Sequence, residues 1–295
     1  MRPRPTPPRS KPSSDVLRPF GLTGESLPRI GQGTWNLEQA DRRQAVRALQ
    51  RGFELGLTHV DTAEMYGNGA AEEIVGEALR EWREQVFVVT KVLPHNASQE
   101  GTMRACERSL QRLGIDCIDL YLLHWPGQHP LEDTIAAFEE LVADGKIRFF
   151  GVSNFDAQEL ESAVRIAGPG AIACNQVLYH LEQRAIEQRV IQTADQHEVA
   201  VVAYSPFGSG DFPGPGSPGF EVLQHIASAR SASPRQVALA FLTRRDSLFA
   251  IPKAVTVPHV EENSAALGLA LEPDEIVAIE AAFPLGPEPD HLPTI

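Results

Sequence analysis

Thr58-His59-Val60-Asp61-Thr62-Ala63-Glu64-Met65-Tyr66-Gly67 opens the unit whose reading decides the fold. A short apolar run stops at a carboxylate, and a phenol follows five residues later. Apolar residues then recur at Ala71, Ile74, Val75, Ala78 and Leu79, a spacing that gathers them on one helix face. The next run, 86–91, is apolar almost throughout and stops at Lys91. Strand, helix and strand is the reading, with the strands covered on both faces. A carboxylate buried at a strand end is costly unless something pairs with it, and Lys91 is the partner offered by the next strand end.

The same unit repeats eight times from Arg29 onward. Strands are expected over residues 29–33, 58–61, 86–91, 119–124, 149–153, 173–177, 199–204 and 249–252. A second clear helical stripe runs through Leu131, Thr134, Ile135, Phe138, Leu141 and Val142; Asp144-Gly145 ends it, and Ser233-Pro234 caps the start of a later helix. Eight such units predict an α/β fold of the (β/α)8 TIM-barrel type. An open, doubly wound sheet is the alternative, but it calls for a Gly-rich fingerprint after the first strand. Gly33-Thr34-Trp35-Asn36 is not one, and Gly67-Asn68-Gly69 has two glycines only and follows the second strand. Gly24, within 22–28, marks a hairpin ahead of the barrel, and the long stretches 205–219 and beyond Phe283 are expected as loops at the C-terminal rim.

One barrel domain is expected over residues 20–295, after a basic, Pro/Ser-rich leader at 1–19 that reads as disordered. Arg2, Arg4, Arg9, Lys11 and Arg18 lie in that leader, so the body is more acidic than the net charge of −13 for the chain. An acidic body repels phosphate backbones, which argues against nucleic-acid partners. No stretch approaches the roughly 20 apolar residues that span a membrane, and no signal peptide is evident, so a cytoplasmic monomer is expected. Cys106, Cys117 and Cys174 lack metal-ligand spacing and read as small apolar residues. Asn96-Ala97-Ser98 fits a glycosylation acceptor but has no secretion signal to give it meaning.

In a barrel, polar residues that close strands face the C-terminal rim, where sites are built. Strand two closes on Asp61, three on Lys91, four on His124, five on Ser153-Asn154, six on Asn175-Gln176 and seven on Tyr204-Ser205. Asp61 and Lys91 can pair across adjacent strands and leave the ammonium near Tyr66. A cation about 4 Å from the phenol at an effective dielectric of 20 is worth roughly 4 kcal/mol, enough to bring its pKa down toward neutrality. Tyr66 then becomes a general acid, and His124 can donate to the same carbonyl oxygen.

These residues resemble the aldo-keto reductase family, and the likeness runs from Gly21 to about Phe283. Asp61-Thr62-Ala63-Glu64-Met65-Tyr66-Gly67 is similar to its D-x-A-x-x-Y-G signature, Lys91 to its lysine, and Leu122-Leu123-His124-Trp125-Pro126 to its histidine segment. Gly145-Lys146-Ile147-Arg148, Gly151-Val152-Ser153-Asn154-Phe155, Asn175-Gln176-Val177, Ala203-Tyr204-Ser205-Pro206 and Ile251-Pro252-Lys253 extend it. The resemblance implies NAD(P)H-dependent reduction of small aldehydes and ketones by direct hydride transfer. Tyr66 is the implied acid, tuned by Lys91 and Asp61, with His124 orienting the carbonyl. Ser153, Asn154 and Gln176 are implied carboxamide contacts and Tyr204 the ring-stacking aromatic, with Gly33 and Thr34 beside the cofactor.

Barrels often bind phosphate after strands seven and eight, which here means Ser205, Pro206, Phe207 and Gly208, then Lys253 to Thr256 with His259, Glu262 and Asn263. Members that prefer NADPH commonly carry Lys-Ser and an arginine five residues on; Ala254 and His259 stand there instead. Lys253 keeps NADPH as the first choice and NADH as the alternative. This variant, with Met65 and Trp125-Pro126-Gly127, is similar to bacterial members that reduce methylglyoxal. Trp35, Met65 and Trp125, with Pro94, are expected around the carbonyl site, in a fairly open pocket because the tail is short. Two rival functions are a cofactor-bound accessory subunit and a Schiff-base lyase using Lys91; the nearby Asp61 argues against the lyase.

Overall fold

Phe87–Val92 and Ile118–Leu123 are buried along their whole length, as runs covered on both faces must be. In the computed structural model, which describes residues 16–295, they belong to a ring of eight parallel strands. An antiparallel hairpin of β1 (Leu17–Pro19) and β2 (Ser26–Pro28) comes first, with Leu17 opposite Pro28. The ring is β3 (Gln32–Gly33), β4 (His59–Asp61), β5 (Phe87–Val92), β6 (Ile118–Leu123), β7 (Ile147–Ser153), β8 (Ile172–Leu178), β9 (Ala200–Tyr204) and β10 (Leu248–Ala250). Each strand pairs with the next in the chain. The ring closes where Ile30 bridges Ala250 and Gly33 bridges Lys253, both in parallel. Closure excludes the open sheet.

The helices are α1 (Arg42–Glu54), α2 (Ala70–Leu79), α3 (Gln99–Leu113), α4 (Leu131–Ala143), α5 (Ala157–Ala167), α6 (Val190–Gln196), α7 (Pro218–Ala229), α8 (Pro234–Leu242), α9 (Val257–Ala265) and α10 (Pro273–Ala282). α1 packs on α2 and also on α9, so the outer layer closes as the strands do. The Ser233 cap is a full capping box with Gln236, and Asp144 ends α4 as expected. Two helices follow β9 where one was expected. α7 ends the rim loop earlier than 219, since the Ser217 side chain accepts from Phe220 N at 3.2 Å and Pro218 suits a first helical position. A β-carbon on Gly219 would lie 2.5 Å from the Phe283 ring, so this helix start takes nothing larger.

Most strand boundaries differ from those expected by one or two residues, and the leader and the two end strands of the ring differ for identifiable reasons. The hairpin starts at Leu17, so the leader boundary at residue 19 was too late: an Arg18 guanidinium nitrogen donates to the carbonyls of Thr243 and Arg245, each at 2.6 Å, and ties the strand to the barrel. Residues 1–15 of the expected leader lie outside the described residues. The first and last barrel strands are shorter than 29–33 and 249–252, and Pro252 has no N–H to continue a ladder.

Alternation along the strands separates two cores. Phe87, Val89, Leu120, Leu122, Cys174, Ala200, Val202, Phe249 and Ile251 fill the barrel interior with Phe20 of the hairpin turn, while their neighbours face the helices. Phe20 plugs the N-terminal end, its ring centroid 5.0 Å from Phe249 and 5.7 Å from Phe87. Two residues beyond the interior apolar positions come Lys91, His124, Gln176, Tyr204 and Lys253. The same period of 2 that builds the core therefore delivers the polar residues to the rim.

His59 sits in this interior beside Phe20 and Phe87, with no partner for either ring nitrogen among the described residues. Burial, reinforced by the charge of Lys91, lowers its pKa to about 3. Unfolded histidine titrates near 6.5, so the unfolded chain binds a proton over this window that the folded chain refuses. Its contribution is complete above about pH 6.5 and is lost as pH falls toward 3, at about 1.4 kcal/mol per pH unit. Urea unfolding of His59→Phe across that range is expected to show a shallower acid loss than the unsubstituted protein; equal slopes would refute the assignment.

Candidate active site

β4 carries Asp61 into the interior at its C-terminal end, and β5 brings Lys91 beside it. Lys91 Nζ donates to Asp61 Oδ1 at 2.6 Å and to the Thr62 carbonyl at 2.7 Å. Gln176 Nε2 donates to the other carboxylate oxygen at 2.7 Å, and the Thr34 hydroxyl donates to the Asp61 carbonyl at 2.9 Å. Both members of the pair are fully buried. Burial opposes charge on each, and for Lys91 it is the largest single effect, yet Asp61 and the Tyr66 hydroxyl together outweigh it and hold the ammonium above its ordinary pKa. The same burial pushes the Asp61 carboxyl upward, against the pull of Lys91.

Tyr66 hangs from the loop after β4, where its hydroxyl is 3.4 Å from Lys91 Nζ. The loop turns sharply because Gly67, Asn68 and Gly69 all take positive φ, at 55°, 52° and 93°. A side chain on Gly67 would meet Glu38 at 2.4 Å. Glu64 pins the same loop from below, accepting from Leu93 N at 2.8 Å and from the Asn96 amide at 2.9 Å. The expected lowering of the Tyr66 pKa does not occur. Burial raises it, and the lowering by Lys91 is partly offset by Asp61. A cation already neutralised at 2.6 Å cannot act on the phenol as an isolated charge. Tyr66 is thus a neutral phenol, which is the form that can give up a proton.

His124 lies just past β6, with its ring 5.8 Å from that of Tyr66 and 4.7 Å from that of Trp125. Burial, with Lys91 second, lowers its pKa to about 2, so the imidazole is neutral. Nδ1 is buried without a partner among the described residues. The tautomer with its proton on Nε2 avoids leaving a donor orphaned there, and so keeps Nε2 as the donor. Asn154, in the left-handed region at φ 60°, donates to the His124 carbonyl at 3.0 Å and accepts from the Tyr204 hydroxyl at 2.9 Å. Ser153 donates to the Gln176 carbonyl at 2.8 Å.

These groups open onto a cavity of about 370 Å³. Of the expected site residues, Gly33, Thr34, Trp35, Asp61, Met65, Tyr66, His124, Trp125, Ser153, Asn154, Gln176, Tyr204, Ser205, Pro206, Phe207 and Lys253 line it. Lys91 lies beneath its floor. Gly208, Thr256, His259, Glu262 and Asn263 do not line it. Glu262 instead ties helices together, accepting from the Ser233 hydroxyl at 2.6 Å and, through its carbonyl, from the Gln236 amide at 2.9 Å. Asn36, Ser209, Ile251 and Ile295 also line the cavity and were not expected there. Ile251 was legible, since it follows Phe249 on the interior face. Ile295 had no sequence signal: the tail returns to the rim only through the path of the folded chain.

The donor set fits a nicotinamide dinucleotide. Ser153, Asn154 and Gln176 line the cavity together with the Tyr204 ring, whose hydroxyl Asn154 holds. Lys253 also lines it, ahead of α9, whose Thr256 N-cap makes no side-chain hydrogen bond to the first turn. Uncapped N–H groups at a helix start suit a phosphate.

A closed parallel barrel with an Asp–Lys–Tyr–His quartet at its C-terminal rim defines a barrel oxidoreductase. The sequence profile described as the aldo/keto reductase family matches residues 29–283, and the chain belongs to that family. It is 45% identical over 261 residues to methylglyoxal reductase YeaE of Escherichia coli (strain K12), covering 88% of this chain and 92% of that protein. Glyoxal reductase of Bacillus subtilis (strain 168) is 32% identical over 275 residues, with coverage of 91% and 95%. The crystal structure of an aldo/keto reductase from Klebsiella pneumoniae in complex with NADP and acetate superposes with a TM-score of 0.88 at 40% identity, covering 94% of this chain and 99% of that one.

Removing one member of the buried pair strands the other. Asp61→Asn is expected to cost about 3–5 kcal/mol in chemical denaturation, whereas Asp61→Asn combined with Lys91→Met recovers most of that loss. Additive losses in the double variant would show that the pair is not the coupled unit described.

Proposed function

We propose that this protein is an NADPH-dependent reductase of small reactive aldehydes and ketones, methylglyoxal-type dicarbonyls among them, acting as a monomer in the cytoplasm. The observation that carries the reading is the Tyr66 hydroxyl beside Lys91 Nζ at 3.4 Å, on the cavity that His124 also lines. Reduced nicotinamide, when bound, supplies the hydride that the carbonyl carbon accepts. Nε2 of His124 donates a hydrogen bond to the carbonyl oxygen and fixes its position. Tyr66 gives its proton to that oxygen as negative charge builds there, so the carbonyl gains two electrons and two hydrogens and leaves as an alcohol. Lys91 stabilises the phenolate left on Tyr66, and Asp61 keeps Lys91 charged and in place.

Ser153, Asn154 and Gln176 orient the carboxamide, and Tyr204 packs on the ring. Lys253 and the uncapped start of α9 take the adenosine phosphate, which supports NADPH over NADH. Trp35, Met65 and Trp125 give the substrate wall, and each keeps more than a third of its surface exposed, which suits small and varied carbonyl compounds. A Schiff-base role for Lys91 is disfavoured, because its ammonium donates to Asp61 and Thr62 and its pKa is raised. Among the described residues, no helix is long and apolar enough to cross a membrane.

Tyr66→Phe is expected to lower methylglyoxal turnover by about 10²–10⁴-fold while NADPH binding, read by fluorescence, holds. Undiminished turnover would sink the acid assignment. Because burial raises the phenol pKa, reduction should be flat through neutral pH and fall only beyond the ordinary tyrosine range, as the acid deprotonates. Steady-state comparison of the two dinucleotides is expected to favour NADPH in kcat/KM by about tenfold or more, in line with one phosphate-binding cation; equal values would remove Lys253 as the determinant.

A further inference from the structure

Arg235 is the second residue of α8, in the turn capped by Ser233. Its guanidinium carbon lies 5.3 Å from the ring centroid of Phe207 and 5.4 Å from that of Phe212, and the two rings meet edge to face at 5.7 Å. Among the described residues no carboxylate pairs with it; two aromatic rings hold the group. A guanidinium held this way has its planar fork of N–H donors oriented yet unspent. Phe207 is also a wall of the cavity, together with Ser209 and Lys253.

α8 is fastened to α9 by the bonds from Ser233 and Gln236 to Glu262, so the start of α8 stands beside the helix that follows Lys253. Phe207 links Arg235 to the cavity that Lys253 lines, and α8 packs on α9, whose start is uncapped, so these three groups are the ones that suit an anion on this side of the barrel. Glu262 is the opposing charge, and its carboxylate is engaged by the Ser233 hydroxyl. The segment after Lys253 carries Ala254 and His259, neither of which offers a fixed charge. A phosphate monoester near neutral pH bears close to two charges, more than Lys253 alone balances.

We propose that Arg235 is the second cation of the 2′-phosphate subsite. Selectivity for the phosphorylated dinucleotide then draws on α8 as well as on Lys253 and the start of α9. The inference rests on the dinucleotide reading given above and assigns part of its specificity to a residue on a different helix. Arg235 is a binding residue here, not a participant in hydride or proton transfer.

Isothermal titration of the full chain with 2′,5′-ADP and with 5′-AMP tests this without turnover. Arg235→Ala is expected to weaken 2′,5′-ADP about tenfold, as loss of a charge-assisted contact does, and to leave 5′-AMP nearly unchanged. Arg235→Lys should fall between, because it keeps the charge without the fork. The salt dependence of 2′,5′-ADP binding should flatten in the alanine variant. Unchanged 2′,5′-ADP binding would overturn the proposal. Equal weakening of both ligands would overturn it too, by showing that Arg235 acts on the adenine or on the Phe207–Phe212 loop. Failure of the unsubstituted protein to bind either nucleotide would count against the dinucleotide reading itself. A thermal melt of each variant checks folding, and Arg235, exposed on a helix surface, leaves no cavity when shortened.

Discussion

A lysine and an aspartate are buried at one end of a closed barrel, 2.6 Å apart and out of contact with water. Neither could be there alone, because an unpaired charge in that interior would cost more than a typical domain can spare. Much of the surrounding architecture serves this pair. Gln176 satisfies the second carboxylate oxygen, the Thr62 carbonyl takes another ammonium proton, and Thr34 holds the Asp61 backbone. The pair in turn decides where the phenol sits, since Tyr66 lies within reach of the same ammonium.

The site is continuous with the core. Phe87, Val89 and Lys91 are one interior column; Leu120, Leu122 and His124 are another; Val202 and Tyr204 a third. Apolar side chains fill the lower layers and the hairpin residue Phe20 seals the bottom, so water reaches the polar layer from the rim alone. Rigidity follows from this, because the proton donor, its electrostatic support and the carbonyl-orienting imidazole rest on strand ends or on loops pinned to them.

Burial also sets the protonation states. It keeps His124 neutral, and it raises the pKa of Tyr66 where a simple pairwise picture had the lysine lowering it. The difference lies in counting all the charges. Asp61 offsets part of the lowering by Lys91, and desolvation outweighs what is left. A neutral phenol and a neutral imidazole, both able to donate, suit an oxygen that gains negative charge during reduction.

The barrel was legible in the sequence because buried parallel strands and amphipathic helices leave local periods, and the eight units follow one another in order. The quartet Asp61, Tyr66, Lys91 and His124 was legible for the same reason: each member sits at or just past a strand end, where polarity interrupts an apolar run. Tertiary structure alone decided what depends on closure. Gln176 meets Asp61 across 115 residues of chain, Ile295 returns to the cavity, Glu262 serves as a tie between helices, and Arg235 comes to rest on Phe207 and Phe212. Sequence periodicity reports which face a side chain takes, a local property; which distant groups share that face, and how much water is left between them, depends on the ring being shut.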